Sequence, residues 1–375
     1  MSRLIVVGGK LQGTEALYLA KKAGVFTVLV DKNPNAIASK ICDEFSCMDI
    51  IETPLLFAEL IKEGDIVLPA LEKQEVLEAL EKLSKEHGFI LGFDLKSYNI
   101  TSSKFLSDKL FRECGLPVPF YYPEGKAPYI VKPSDASGSQ GVQYIGSNRE
   151  LELFLEKTDH SENLIIQEYL KGPSYSIEII GKPGNYRTYK ITQIHMDEVY
   201  DCKMVTAPCP LTKEQEIKFS NMAICIAEKL QLQGIMDLEI IDDENDFKLL
   251  EIDARIPSQT PTVVYHSSGM NLIKELMDIY NVGKFTSDKI DRNYSSCFEH
   301  YVIKDGVVSS HGEHVMGESK PLQLETNVFG ADELISDYNN NDGSWRGTLI
   351  NWAKTDKELM DKRENNYQKL TLGEK

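Results

Sequence analysis

Between Leu4 and Leu91 the apolar residues fall in short unbroken runs, separated by stretches in which they recur every three or four positions. Unbroken runs read as strands buried on both faces, and the longer period reads as helices with one buried stripe. The pattern predicts strands at Leu4–Val7, Thr27–Val30, Glu44–Cys47, Ile66–Leu68 and Phe89–Leu91, with helices at Glu15–Ala23, near Leu55–Ile61 and at Glu75–Lys85. Such alternation builds a parallel sheet covered on both sides, so an α/β fold with a Rossmann-like N-terminal region is expected. Gly8-Gly9-Lys10-Leu11-Gln12-Gly13 forms the first strand-to-helix turn, and Asp31 closes the second strand. A nicotinamide-dehydrogenase reading starts from those two features. Against it, the spacing departs from G-x-G-x-x-G, and a glycine-rich turn at a helix N-terminus serves many small anions.

Beyond Ser102 the pattern changes to α+β. SSKFLSDKLFRECGLPVP predicts an amphipathic helix ended by Gly115, Pro117 and Pro119. YIVKPSDASGSQGV then places Lys132 at the end of a strand, ahead of a small-residue loop from Ser134 to Gly141. The backbone N–H groups of such a loop can close over phosphate oxygens, or the loop can be a plain hairpin. It is not a P-loop, because G-x-x-x-x-G-K-[ST] is missing. LIIQEYLKG (Leu164–Gly172) and YSIEII (Tyr175–Ile180) read as two more strands. They either present main chain to a purine edge, with Gln167 and Glu168 as polar neighbours, or pair as an ordinary hairpin.

A helix at Glu214–Gln231 precedes GIMDLEIID, in which Asp237 and Glu239 share one strand face; Glu251 and Asp253 share a face in KLLEIDAR. Joined by the turn-rich Asp242–Asp246, the two strands form a hairpin that brings Glu239 beside Glu251 and Asp253. Three acids at one sheet surface repel each other unless they share a cation. Oxygen-only ligands suit Mg²⁺ bridging to nucleotide phosphates.

Composition narrows the partners. A chain of 375 residues, 42% hydrophobic, can bury cores for two or three domains. The net charge of -17 argues against a nucleic-acid surface while leaving room for a local basic pocket. The 7 cysteines are odd in number and lack C-x-x-C spacing, which fits reduced thiols rather than a disulfide frame or a zinc site. MSRLIVVGG is too short in its apolar run for a signal peptide, and no stretch reaches the roughly 18 apolar residues of a membrane span. A soluble cytoplasmic protein without a membrane partner is expected. His311 and His314, in HGEH, fit a turn rather than a metal site, and His195 fits a strand. Trp345 and Trp352 read as packing residues, Tyr338–Gly343 as a turn, and the residues from Lys357 as a surface helix with a frayed tail.

The order of these features, up to about Leu276, resembles the ATP-grasp superfamily. Within it, GGKLQGTEALYLAKKAG, VLVDKNP, HMDEVYDCKMVT, GIMDLE and EIDARIPSQTPTVVYHSSGMNLI resemble the ligases of pyrrolysine biosynthesis, which join 3-methyl-D-ornithine to L-lysine. The resemblance implies a substrate-side region over 1–101, a central lid over 102–185 and a C-terminal region with the metal and substrate site over 186–375. It implies that Lys104 and Lys132 hold the ATP phosphates under a closing loop of Ser137, Gly138, Ser139, Gln140 and Gly141. Gln167, Glu168 and Leu170 would lie beneath adenine, and Glu239, Glu251 and Asp253 would ligate two magnesium ions. The chain departs from the family pattern twice. Asp253 stands where Asn is common, and Ser174 stands where many relatives place a ribose-binding Glu, which leaves Glu178 as the alternative.

The implied reaction activates the ornithine carboxylate as an acyl phosphate, which the lysine ε-amine then attacks. That amine, with a reference pKa of ~10.4, must react neutral, and Asp237 is assigned to contact it. Arg255 suits a bidentate grip on a carboxylate or acyl phosphate. Ser258, Gln259 and Thr260 beside it, Lys10, Leu11 and Gln12 in the first turn, and Glu72, Glu198 and Asp201 as ammonium contacts complete the expected substrate site. The alternatives are another ATP-grasp carboxylate-amine ligase of the D-alanine:D-alanine type, a noncatalytic nucleotide sensor, which needs neither Arg255 nor the third carboxylate, and an NAD(P)-dependent oxidoreductase.

Overall fold

The structure is a computed structural model that describes residues 2–134, 141–158, 164–243, 246–339 and 343–373. The N-terminal region holds β1 (Leu4–Val7), α1 (Leu11–Lys22), β2 (Thr27–Asp31), β3 (Glu44–Cys47), α2 (Pro54–Leu60), β4 (Ile66–Pro69), α3 (Gln74–His87) and β5 (Ile90–Leu91). Its strands form a parallel sheet in the order β3-β2-β1-β4-β5. Every residue of β1 and β4 is buried, as runs covered on both faces require. Val6 and Leu29 pack toward α1 on one side, while Ile5, Val28 and Val67 pack toward Phe57 and Leu80 on the other.

The turn after β1 depends on glycine at close quarters. A Cβ at Gly13 would lie 2.0 Å from the Gly8 carbonyl oxygen. Helix α1 also begins at Leu11, ahead of the expected Glu15, because the turn itself enters the helix. Asp31 closes β2, but its carboxylate accepts the Gly9 N–H at 2.6 Å and the Asn33 N–H at 2.7 Å. The acid that an oxidoreductase would direct at a ribose is thus engaged in holding the turn.

Two short helices follow. α4 (Leu95–Thr101), unforeseen from the pattern, is capped by Asp94, whose side chain accepts the Ser97 N–H. α5 (Lys104–Glu113) is capped by Ser103 and ends before Gly115, as expected. A small antiparallel sheet, β7-β6-β8, comprises β6 (Tyr129–Pro133), β7 (Gln143–Ile145) and β8 (Leu164–Glu168), with α6 (Asn148–Leu155) packed on it through Leu151.

The remaining strands join one antiparallel sheet of 11 strands among the described residues. They are β9 (Ser174–Lys182), β10 (Asn185–Thr188), β11 (Thr192–Met196), β12 (Cys202–Ala207), β13 (Gly234–Asp243), β14 (Asp246–Asp253), β15 (Ser295–Lys304), β16 (Val307–Ser310), β17 (Gln323–Val328), β18 (Ala331–Ser336) and β19 (Ser344–Ala353). The main path runs β14-β13-β9-β11-β12-β15-β19-β18-β17. β9 and β10, at the expected border near residue 185, both belong to this large sheet, and the last strand of the small sheet ends at Glu168.

α7 (Lys213–Leu230) covers one face through Phe219, Ala223 and Ile226, and a reciprocal Thr212–Gln215 capping box starts it. α8 (Thr260–Ser268) and α9 (Leu272–Asn281) fill the junction with α1. The expected packing tryptophans are confirmed: Trp345 stacks on Phe329, and Trp352 stacks on His266. α10 (Asp356–Leu372) is the expected surface helix, mostly exposed; it packs through Leu359 and Leu370, and its Arg363 reaches Glu299 at 2.8 Å. Among the described residues no helix is long and apolar enough to cross a membrane.

Candidate active site

The acid hairpin forms in the expected register. β13 pairs antiparallel with β14, setting Glu239 opposite Glu251 and Asp237 opposite Asp253, with a bulge just after Glu239. Alternation along each strand directs all four carboxylates to one face. Lys104, at the first position of α5, reaches this face, with its Nζ 2.9 Å from Glu251 Oε1. The backbone of Lys104 donates to Ser134 O at 3.3 Å, which ties the start of α5 to the end of β6. β6 carries Lys132, whose side chain is buried. Burial lowers the pKa of Lys132; Glu251 and Glu239 oppose that shift and Lys104 adds to it. Residues remote in sequence thus form one cluster of two cations and four acids.

The acids bear the electrostatic cost. Burial first, with the neighbouring carboxylates reinforcing it, pushes Glu239 and Asp253 well above the usual carboxylate range. Asp237 rises to about 7 for the same reasons, against the opposing pull of Arg255. Its Oδ1 is buried without a hydrogen-bond partner. The oxygen donors of Glu239, Glu251 and Asp253, held together against repulsion, fit a hard divalent cation such as Mg²⁺.

Arg255 leaves the end of β14 and links this cluster to a cavity of about 690 Å³. Its guanidinium lies 3.0 Å from Asp253 and 2.9 Å from Glu72, and these acids hold its pKa above the ordinary arginine value despite burial. Lys10, Leu11, Gln12 and Glu72 line the cavity from the parallel sheet's C-terminal edge, where open α/β sheets bind ligands. Gln12 donates to Glu72 at 2.7 Å. Arg255, Ser258 and Asp201 line the opposite side.

Comparison with known proteins places this constellation. Residues 101–259 match the ATP-grasp domain family. The chain is 39% identical over 317 residues to the 3-methyl-D-ornithine–L-lysine ligase of Methanosarcina barkeri, covering 84% of each chain. It is 37% identical to that of Methanosarcina acetivorans, over 97% of this chain and 96% of the relative. The chain belongs to the 3-methyl-D-ornithine–L-lysine ligase family. The fold is also that of the biotin carboxylase domain of Hydrogenobacter thermophilus 2-oxoglutarate carboxylase, solved with MgADP and bicarbonate. That domain is 17% identical, with a TM-score of 0.73 over 98% of this chain and 89% of that one.

The other expected positions of this member of the ligase family lie on β8, in the large sheet and around the cavity wall. Gln167 is buried within β8, Glu168 accepts the Phe120 N–H at 2.9 Å, and Leu170 is buried. Gly141 takes φ +75, which favours glycine, whereas Ser137, Gly138, Ser139 and Gln140 fall outside the described residues. Glu178 pairs with Asp237 in mid-sheet at 0% exposure, where burial raises its pKa to about 7. Glu198 is exposed on the loop before β12 and is not among the residues that line the cavity, as Asp201 is. Gln259 and Thr260 are buried behind the wall, and Gln259 acts through Glu313, to which its Nε2 donates at 2.7 Å. His195 makes its ordinary strand contact, 2.8 Å from Thr206 Oγ1.

Sequence reasoning missed Glu313 and His314, which line the cavity from the 3-10 segment Glu313–Glu318. The HGEH string was the available signal, and reading it as a turn hid it. The ligand atoms of His314, Asp197 and Asp201 lie within 4.8 Å of one another. Asp197 accepts the Val199, Asp201 and Gly312 N–H groups, and Asp201 Oδ2 accepts from His314 through both its N–H and its ring nitrogen. These bonds fasten the 3-10 segment to the loop before β12.

Proposed function

We propose that this chain is an ATP-dependent ligase that joins the carboxylate of 3-methyl-D-ornithine to the ε-amine of L-lysine in pyrrolysine biosynthesis. Arg255 carries the reading. One guanidinium is paired into the carboxylate cluster through Asp253 and lines the adjoining cavity, so phosphate chemistry and acid binding share a single group. Lys104 and Lys132 hold the phosphates of ATP, which is a substrate here. Magnesium, as two ions held by Glu239, Glu251 and Asp253, would offset phosphate charge when bound.

Arg255 orients the acid so that a carboxylate oxygen attacks the γ-phosphorus and the bond to ADP breaks. The amine nitrogen then attacks the acyl carbon, the C–O bond to phosphate breaks, and the amine gives up a proton. Asp237, raised to about 7 by burial, is suited to accept that proton near neutral pH. Lys10, Leu11, Gln12, Glu72, Asp201 and Ser258 form the walls that receive the two amino acids. The MgADP of the carboxylase neighbour and the names of the relatives support this assignment, and a cytoplasmic location accords with its substrates.

Incubation with ATP, Mg²⁺, L-lysine and 3-methyl-D-ornithine or D-ornithine, followed by mass spectrometry, tests the proposal. The amide product with matching ADP is expected. ATP-independent NADPH oxidation in its place would overturn the assignment.

A further inference from the structure

Glu313 is anomalous among the cavity's acids. Asp31 and Asp49 accept backbone N–H groups, Glu72 pairs with Arg255, and Asp201 is bonded to the His314 ring. Glu313 has only neutral donors: Ser258 Oγ at 2.8 Å and Gln259 Nε2 at 2.7 Å, both on Oε2. Among the described residues no lysine or arginine nitrogen comes within ion-pair distance of it. Burial raises its pKa, the Gln259 and Ser258 hydrogen bonds oppose that shift, Asp201 adds to it, and Arg255 is near enough to pull the other way. A half-buried carboxylate beside a second acid, with one oxygen uncommitted and facing no lysine or arginine, suits a cationic ligand.

Its position is also built. Gly312 donates to Asp197 at 3.1 Å and His314 N to Asp201 at 3.0 Å, which seats the 3-10 segment on the loop before β12. Only glycine permits that approach, since a Cβ at position 312 would lie 2.1 Å from Asp201 Oδ2. From below, Gln259 fixes Glu313 while accepting from Cys202 Sγ at 3.2 Å. The residue lies on the same wall as Arg255 and Ser258.

We propose that Glu313 selects the acid substrate by its side-chain ammonium, so that Arg255 grips the carboxylate to be activated and Glu313 the amine at the end of the short aliphatic arm. This rests on the ligase reading above and adds to it: Glu313 makes the site specific for a diamino acid. A neutral side chain of the same length leaves the Glu313 carboxylate without its counter-charge, which penalises the analogue lacking the amine.

Calorimetric titration of the full chain with D-ornithine and with D-norvaline, the same skeleton without the terminal amine, tests this. Wild type is expected to prefer D-ornithine. Glu313→Gln, which keeps an acceptor for Ser258 and Gln259, should weaken D-ornithine by about 10- to 100-fold, the range of a charge-assisted hydrogen bond, and change D-norvaline little. Glu313→Asp should fall between the two. Equal weakening of both ligands, equal wild-type affinity for both, or an effect on L-lysine in place of D-ornithine would overturn the proposal. Product analysis of the wild type separates the two claims. If no amide forms but the variant has lost discrimination, the ligase reading fails and the role of Glu313 stands; if amide forms and the variant still discriminates, the reverse holds.

Discussion

Lys104 Nζ and Glu251 Oε1 are 2.9 Å apart, although 147 positions separate them in the chain and they arrive from a helix start and a hairpin strand. Glu251 also opposes Glu239 across the hairpin and acts electrostatically on Lys132. It is the acid common to the lysine pair and the carboxylate cluster. Glu251→Ala should abolish ADP formation, with a loss of at least about 100-fold in turnover, as expected when charge stabilisation of a transferring phosphoryl group is removed. A coupled ADP assay at saturating ATP checks it, and near wild-type turnover would exclude Glu251 from the phosphate machinery.

Arg255 makes contacts on two sides, with Asp253 and with Glu72. A lysine keeps the charge but cannot serve two acids and a substrate carboxylate with a planar fork. Arg255→Lys should lower kcat/KM for the ornithine substrate by roughly 100-fold, with KM for ATP little changed. Steady-state kinetics with each substrate varied in turn distinguishes this from general damage, which would move both.

Glu15, beneath the start of α8, gives a pH signature in stability. It is buried, accepts the Thr262 N–H at 2.6 Å and the Thr262 hydroxyl at 2.7 Å, and burial outweighs these bonds to raise it from 4.5 to about 7. Because the folded-state pKa lies above the unfolded one, the stability this group contributes is complete below pH 4.5 and is lost as pH rises through about 7. Glu15→Gln removes that loss. The stability of the variant relative to wild type should rise between pH 5 and pH 8 by up to about 3 kcal/mol. Urea unfolding at both pH values measures it, and a difference independent of pH would show that Glu15 ionises as freely in the fold as in the unfolded chain.

The first turn tolerates no side chain at Gly13, where a Cβ would meet the Gly8 carbonyl oxygen at 2.0 Å. Gly13→Ala should cost about 1–3 kcal/mol, since backbone rather than a movable side chain must yield. Gly317→Ala, with nothing within 4 Å of the added carbon, is the matched control and should unfold at the wild-type temperature. Equal melting temperatures for the two variants would refute the close approach.

The parallel sheet was legible in the sequence because strands covered on both faces are apolar along their length, as β1 and β4 are throughout and β2 is over Val28–Val30. The acid hairpin was legible because a period of two fixes which residues share a face, so Asp237 with Glu239 and Glu251 with Asp253 needed only a turn between them. α4 was missed, being a single capped stretch too short to show a period. Only the tertiary structure decided which acid meets which cation. Lys104 reaches Glu251, Arg255 reaches Glu72, and Glu313 reaches Ser258 and Gln259 through packing of elements far apart in the chain. Local pattern determines which way a side chain points along its own strand or helix, whereas the partner it finds, and the pKa that burial imposes, depend on what the rest of the chain brings opposite it.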